Sequence, residues 1–166
     1  MGSGMPDPPK CLTQQSSWPG WPQRREGRYM IKAKIDKGAY TPERAHKTDA
    51  GLDLRSPERF ILWSHSRKVI DTGVHVEIPE GYAGLLRSKS GLMCDHGILS
   101  DGTVDSGYSG SVRVCMINTS NEPYTVEKGD KISQLVVVPC QLDPVEIVDQ
   151  IASGERGEKG FGSTGR

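Results

Sequence analysis

In the stretch VHVEIPEG, residues 74–81, apolar and polar side chains alternate up to Ile78, and a Pro-Glu-Gly turn follows. An alternation of period two gives a β-strand one apolar face to bury and one polar face for solvent. This stretch therefore predicts a strand that ends at a turn. The same reasoning predicts further strands at residues 31–35, 112–117, 132–138 and 145–149.

Turn signals separate these predicted strands. They are Ser106-Gly107, Asn121-Glu122-Pro123 and Lys128-Gly129-Asp130. No window sustains a helical period over three turns, and one short helix near residues 90–94 is the most that the pattern allows. Many short strands joined by glycine and proline turns indicate an all-β domain, a barrel or sandwich of the jelly-roll kind.

The 166 residues suffice for one domain with a real core. Residues 1–29 contain five prolines and no periodic apolar pattern, so we interpret them as a disordered extension or a segment added to the native chain. The predicted folded unit covers residues 30–153. Residues 154–166 are interpreted as a mobile, glycine-rich arm.

Lys+Arg and Asp+Glu both number 21, so the formal net charge is zero and the chain is not predicted to bind nucleic acid or a membrane surface generally. No apolar run is long enough to span a bilayer, and no signal-peptide pattern opens the chain. The four cysteines form no CxxC motif, which favours reduced thiols and a cytoplasmic location.

The arm reads GERGEKGFGSTGR. Its glycines would let backbone N–H groups approach an anion, and Arg156, Ser163 and Thr164 would add side-chain donors. Phe161 could lie flat on a ring. The same composition is also typical of a frayed terminus, and from the arm alone both interpretations stay open.

Five segments carry residues suited to nucleotide chemistry. They are TDAGLDL at 48–54, RSKSGL at 87–92, GTVDSGYSG at 102–110, GDKISQL at 129–135 and RGEKGFGSTG at 156–165. In this order the five resemble the motifs of the trimeric dUTP diphosphatase (dUTPase) family, over residues 31–166. The resemblance implies a homotrimer with shared active sites and Mg²⁺. It also implies hydrolysis of dUTP to dUMP and diphosphate, which limits uracil incorporation into DNA and supplies dUMP for thymidylate synthesis.

The resemblance also implies roles for individual residues. Asp105 would be the catalytic base that activates water, and Tyr108 would pack against deoxyribose and exclude a 2′-hydroxyl. Gly102 and Val104 would present backbone groups to uracil. Asp53 would orient the metal ion through its water shell.

For the phosphates the family's common pattern is Arg-Ser-Gly, whereas this chain has Lys89-Ser90-Gly91. The pair Arg87-Ser88 lies two residues earlier, so either pair could supply the phosphate contact. Gln134 would bind the phosphates or the water. The remaining predicted substrate contacts lie in the arm, which would cross to a neighbouring subunit: Arg156, Phe161, Gly162, Ser163 and Thr164.

Two alternatives remain at this point. The first is dCTP deaminase, which shares the fold but needs an acid/base group at cytosine C4. The second is a phage-type dUTPase whose main role is to bind a regulatory protein, through residues 1–29 or the loop at residues 65–68.

Overall fold

The computed structural model describes residues 30–152. This part of the chain forms ten strands and one short helix, with these bounds: β1 Lys32–Ile35, β2 Gly51–Arg55, β3 Phe60–Leu62, β4 Arg67–Asp71, β5 Val74–Glu77, β6 Tyr82–Arg87, α1 Ser90–His96, β7 Ile98–Val104, β8 Arg113–Asn118, β9 Tyr124–Val126 and β10 Lys131–Pro139.

Six of the strands form one curled antiparallel sheet in the order β2-β10-β6-β7-β8-β4, and two smaller sheets pair β1 with β5 and β3 with β9. The side chains on the inward faces of these strands form the hydrophobic core. Leu54, Val114 and Leu135, from three strands of the large sheet, are fully buried. This arrangement is the all-β, jelly-roll-like fold that the alternation predicts.

Four predicted strands are confirmed, at β1, β5, β8 and β10. The predicted helix is also confirmed, as α1, which runs two residues further than predicted. The helix ends where Gly97 adopts a left-handed conformation with φ of 66°, a geometry that glycine reaches without strain. No helix in the described range is long and apolar enough to cross a membrane.

The predicted strand at residues 145–149 is wrong for the isolated chain. No strand is present there, and the side chains of Val145 and Ile147 are 86% and 89% exposed. The last sheet contact before this segment is the hydrogen bond from the Cys140 N–H to the Gly81 carbonyl, at 2.8 Å. Because a strand needs a hydrogen-bonded partner, an alternating segment that leaves the sheet does not form a strand by itself.

Candidate active site

Asp105 lies at the first position after strand β7, where the chain turns. Val104 before it is buried, whereas Asp105 itself is exposed. Its carbonyl accepts a hydrogen bond from the Tyr108 N–H at 3.2 Å, and Gly107 adopts a φ of 84° that allows the turn. The buried strand end and the turn therefore present the Asp105 carboxylate to solvent from a defined position.

Tyr108 stands in the middle of residues 105–111, which form most of the connection between β7 and β8 and are called here the Tyr108 loop. Its hydroxyl donates to the Ser111 carbonyl at 3.0 Å, and its side chain is 42% exposed. The ring lies against Gly110, where any Cβ would overlap the ring atoms. Glycine at position 110 therefore leaves the space that the Tyr108 ring occupies. The exposed part of the ring can contact a ligand.

Gly102 lies on β7 opposite Leu86 of β6, and Val104 lies opposite Gly84. A Cβ at Gly102 would come within 3.2 Å of the Leu86 side chain, so the glycine permits close packing of the two strands. The predicted contact of this backbone with uracil remains a prediction. Ser100, two residues before Gly102, is buried, and its hydroxyl donates to the Ser133 hydroxyl at 3.0 Å.

A second group of polar residues surrounds Asp53 on β2. The two oxygens of its carboxylate accept hydrogen bonds from the ammonium groups of Lys89 at 2.5 Å and Lys131 at 2.6 Å. Burial of the Asp53 carboxyl raises its pKa, but the hydrogen bonds and charges of the two lysines outweigh burial and hold the pKa below its usual 3.8. An ionised Asp53 therefore fixes two ammonium groups beside each other.

Lys131 is a residue that the sequence reasoning missed. It lies within the fourth segment, GDKISQL, but a regular strand would place it on the opposite face from Gln134. The pairing of β10 with β2 shifts by one residue between Lys131 and Ser133, which is a β-bulge. The bulge brings Lys131 to the face where Gln134 lies opposite Asp53. We call Asp53, Lys89, Lys131 and Gln134 the Asp53 cluster.

Of the two serines proposed for phosphate contact, Ser88 is already engaged. Its hydroxyl donates to the Ser100 carbonyl at 2.9 Å and accepts from the Ser100 N–H at 2.8 Å, which ties β6 to β7. Arg87, beside it, pairs with Asp101 at 3.7 Å across the same strands. Ser90 is exposed at the start of α1 and its hydroxyl has no hydrogen-bond partner within residues 30–152. This arrangement favours Ser90 as the phosphate donor.

Asp105 and the Asp53 cluster lie apart in the large sheet, because Asp105 follows β7 whereas Gln134 of the cluster is on β10, on the other side of β6. Gln134 is in register with Arg87, which faces Asp101 on β7, whereas Asp105 follows Val104 three residues further along. At about 3.3 Å per residue, at least 10 Å along the strands separates the two groups. One chain therefore does not bring them together. The predicted contacts of the arm lie outside the described residues: Arg156, Phe161, Gly162, Ser163 and Thr164.

A family model for dUTPase matches residues 37–165 of this sequence. The chain belongs to the dUTPase family. The deoxyuridine 5'-triphosphate nucleotidohydrolase of Clostridium kluyveri is 42% identical over 139 residues, which cover 82% of this chain and 97% of the relative. The corresponding protein of Clostridium acetobutylicum is 43% identical over 135 residues, 80% of this chain and 93% of that relative.

Solved structures of phage dUTPases are similar as well. The dUTPase of Staphylococcus bacteriophage 80alpha with dUPNHPP is 35% identical, with a TM-score of 0.78, covering 84% of this chain and all of that one. It is described together with control of the transfer of virulence genes by phage dUTPases. The D95N mutant of the phage phi11 enzyme, described with a structural Mg(II) ion, is 31% identical, with a TM-score of 0.70 over 75% of this chain and all of that one.

Proposed function

We propose that this protein hydrolyses dUTP to dUMP and diphosphate in the cytoplasm, with Asp105 as the catalytic base. The observation that carries the proposal is the exposed Asp105 carboxylate on an ordered turn, three residues from the seated ring of Tyr108, in a chain of the dUTPase family. A carboxylate held in this way can orient water for attack on phosphorus, which is chiefly a matter of positioning. The curated relatives named above are deoxyuridine 5'-triphosphate nucleotidohydrolases, which supports hydrolysis of dUTP over deamination of dCTP.

The Asp53 cluster supplies the charge that the leaving diphosphate needs. Lys89 and Lys131 place two ammonium groups around one carboxylate, so their summed charge exceeds that of Asp53 by one unit. Ser90 and Gln134 lie beside them as hydrogen-bond donors. Fixed positive charge and donors at the leaving group stabilise charge that develops in the transition state. Lys131 is therefore added to the proposed substrate-binding residues.

Mg²⁺ fits the site as an ion held mainly by the triphosphate. Residues 30–152 contain no group of three or more side chains that could ligate a metal ion. Magnesium keeps several waters and commonly binds through substrate phosphates, where it neutralises their charge. Asp53 stays the predicted contact to its water shell, although its carboxylate already holds two lysines at 2.5 and 2.6 Å.

We further propose that the active protein is a homotrimer in which Asp105 of one copy meets the Asp53 cluster of another. The distance between the two groups within one chain supports this arrangement. The exposed segment at residues 145–149 supports it too, because an alternating apolar stretch without a strand partner can complete the sheet of a neighbouring copy. The arm would then extend from that segment toward a neighbour's site.

The proposed activity is tested by measuring diphosphate release from dUTP, UTP, dTTP and dCTP, with ammonia release measured on dCTP. We expect diphosphate from dUTP at a kcat/KM well above those of the other three nucleotides, and no ammonia. Ammonia release from dCTP without diphosphate release from dUTP would contradict the proposed function.

Replacement of Tyr108 by alanine should reduce the preference for dUTP over UTP more than the preference for dUTP over dTTP. The reason is that sugar and base would be recognised by different groups, and loss of a steric barrier to a hydroxyl can remove a factor of about 10². The measurement is the ratio of kcat/KM for each pair of substrates.

The matched control is Tyr108→Phe, which keeps the ring and removes only the hydrogen bond to the Ser111 carbonyl. The phenylalanine variant should retain most of the preference for dUTP over UTP. An unchanged dUTP-to-UTP ratio in the alanine variant would show that Tyr108 does not recognise the sugar.

A further inference from the structure

His75 on β5 connects the Tyr108 loop to the segment that follows β1. Its Nδ1 lies 2.9 Å from the carbonyl oxygen of Ser109, the residue after Tyr108. Its Nε2 lies 3.1 Å from Oδ2 of Asp36, in the connection after β1. The ring is 22% exposed and forms the only side-chain link, among the described residues, between Ser109 and the β1–β5 sheet.

Both partners of this ring are hydrogen-bond acceptors. A carbonyl oxygen and a carboxylate have no proton to donate, and a neutral imidazole has a single N–H. Only the doubly protonated imidazolium can donate to both at once. When the ring is neutral, its one N–H favours the charged Asp36, because charge-assisted hydrogen bonds are the stronger ones. The Ser109 carbonyl then faces a nitrogen lone pair and is released.

The loop is held on its other side by Asp71 at the end of β4. The Ser111 hydroxyl donates to the Asp71 carboxylate at 2.5 Å, and the Gly73 N–H donates to the same oxygen at 3.0 Å. Both anchors, the first at Ser111 and the second at Ser109, therefore lie just after Tyr108 in the chain. Beside the second anchor a cavity of about 520 Å³ opens between β1, β5 and the loop, with Tyr108 and Ser109 in its lining. If the hydrogen bond between His75 and the Ser109 carbonyl is lost, the loop has space to shift into this cavity.

We propose that the His75 imidazolium positions Tyr108, through the Ser109 carbonyl, for discrimination between deoxyribose and ribose. His75 acts through the loop and is a positioning residue. The proposal rests on the proposed function and adds a residue that the five motifs do not contain.

The surroundings favour the imidazolium. Hydrogen bonding to the Ser109 carbonyl and to Asp36 raises the pKa of His75 above its usual 6.5, against smaller opposing effects of burial and of Lys34. The charged and titratable groups around the ring are Lys32, Lys34, Asp36, Asp71, Glu77 and Tyr108. Because the folded-state pKa is raised, the link to Ser109 is complete at lower pH and is lost as pH rises through that pKa.

The test compares two variants that each keep one donor. His75→Asn places an amide N–H near the position of Nδ1 and can still reach Ser109, without a charge. His75→Gln places its amide near Nε2 and can reach only Asp36. We expect the dUTP-to-UTP ratio of kcat/KM to fall between about 10- and 100-fold in the Gln variant and to stay near native in the Asn variant.

The pH profile of the same ratio gives a second readout. In the native protein the ratio should fall as pH is raised from about 6 to 9, and in His75→Asn it should be flat. The general base and the phosphates titrate alike for both substrates, so their effects cancel in the ratio. The control variant is His65→Asn, since the ring of His65 makes one hydrogen bond within residues 30–152, to Asn121 at 2.9 Å, and its φ of 53° suits asparagine.

Several outcomes would overturn the proposal. A dUTP-to-UTP ratio of kcat/KM that stays native in His75→Gln overturns the proposal. An equal fall of this ratio in the Asn and Gln variants also overturns it, because it would indicate a merely structural role for His75. An NMR titration of the His75 ring, which needs no turnover, should give a pKa above 6.5, and a value at or below 6.5 also overturns it. Absence of dUTP hydrolysis by the native protein would instead contradict the proposed function, and the NMR titration would then decide the state of His75 by itself.

Discussion

Replacement of Asp105 by asparagine is expected to leave a folded protein that binds dUTP and turns it over about 10²- to 10⁴-fold more slowly. The amide has the shape of the carboxylate but cannot accept a proton from water. Asp105 is exposed on a turn made by backbone groups, so the fold does not depend on its charge. The measurement is single-turnover hydrolysis together with dUTP binding and the melting temperature.

The matched control for this prediction is Asp101→Asn. Asp101 lies on β7, four residues before Asp105, and among the described residues its carboxylate makes only an exposed pair with Arg87 at 3.7 Å. An exposed pair of this kind contributes little to stability. The control should therefore keep near-native turnover. If Asp105→Asn kept it as well, the catalytic base would have to be another group.

Deletion of residues 154–166 is expected to abolish most activity without lowering the melting temperature. The arm contains one large apolar residue, Phe161, so the core gains little from it. Its proposed role is to bring Arg156 and the hydroxyls of Ser163 and Thr164 to the γ-phosphate and to exclude water when it closes. Turnover of dUTP and thermal unfolding of the truncated protein measure both parts of the prediction.

A control for the deletion is Phe161→Leu in the full-length chain, which removes the aromatic ring and keeps the phosphate donors. This variant should weaken dUTP binding and retain more activity than the truncation. A truncated protein with a clearly lower melting temperature and preserved turnover would show that the arm is structural.

The fold was largely predictable wherever one face of a strand is buried. β5 and β8 alternate cleanly because their inward residues pack in the core, among them Val74, Val76 and Val114. The sequence ILSDGTV of β7 does not show the alternation of a strand, since Ser100 is buried and hydrogen-bonded, and Gly102, which is half-buried, packs closely against Leu86. The alternation of apolar and polar residues cannot reveal a strand whose inward-facing residues are polar or glycine.

The candidate site was predictable at the level of motifs and not at the level of contacts. The turn at Asp105 follows from the strand end and the Ser-Gly turn signal. The approach of Lys131 to Asp53 depends on a bulge that leaves no mark in the sequence. The contact of His75 with Ser109 joins residues 34 positions apart, which local patterns cannot relate. The alternation at residues 145–149 is real, but its partner strand does not lie in the described part of the same chain.

The central claim is that one active site takes Asp105 from one copy and the Asp53 cluster from another. Its most direct test mixes two inactive chains, Asp105→Asn and the double variant Ser90→Ala/Gln134→Ala, by unfolding and refolding them together. In a ring of three copies with head-to-tail interfaces, random mixing gives about one site in four with both native halves. We therefore expect about a quarter of native dUTP turnover to return. Mixed trimers, verified with two different affinity tags, that form but stay inactive would contradict the claim.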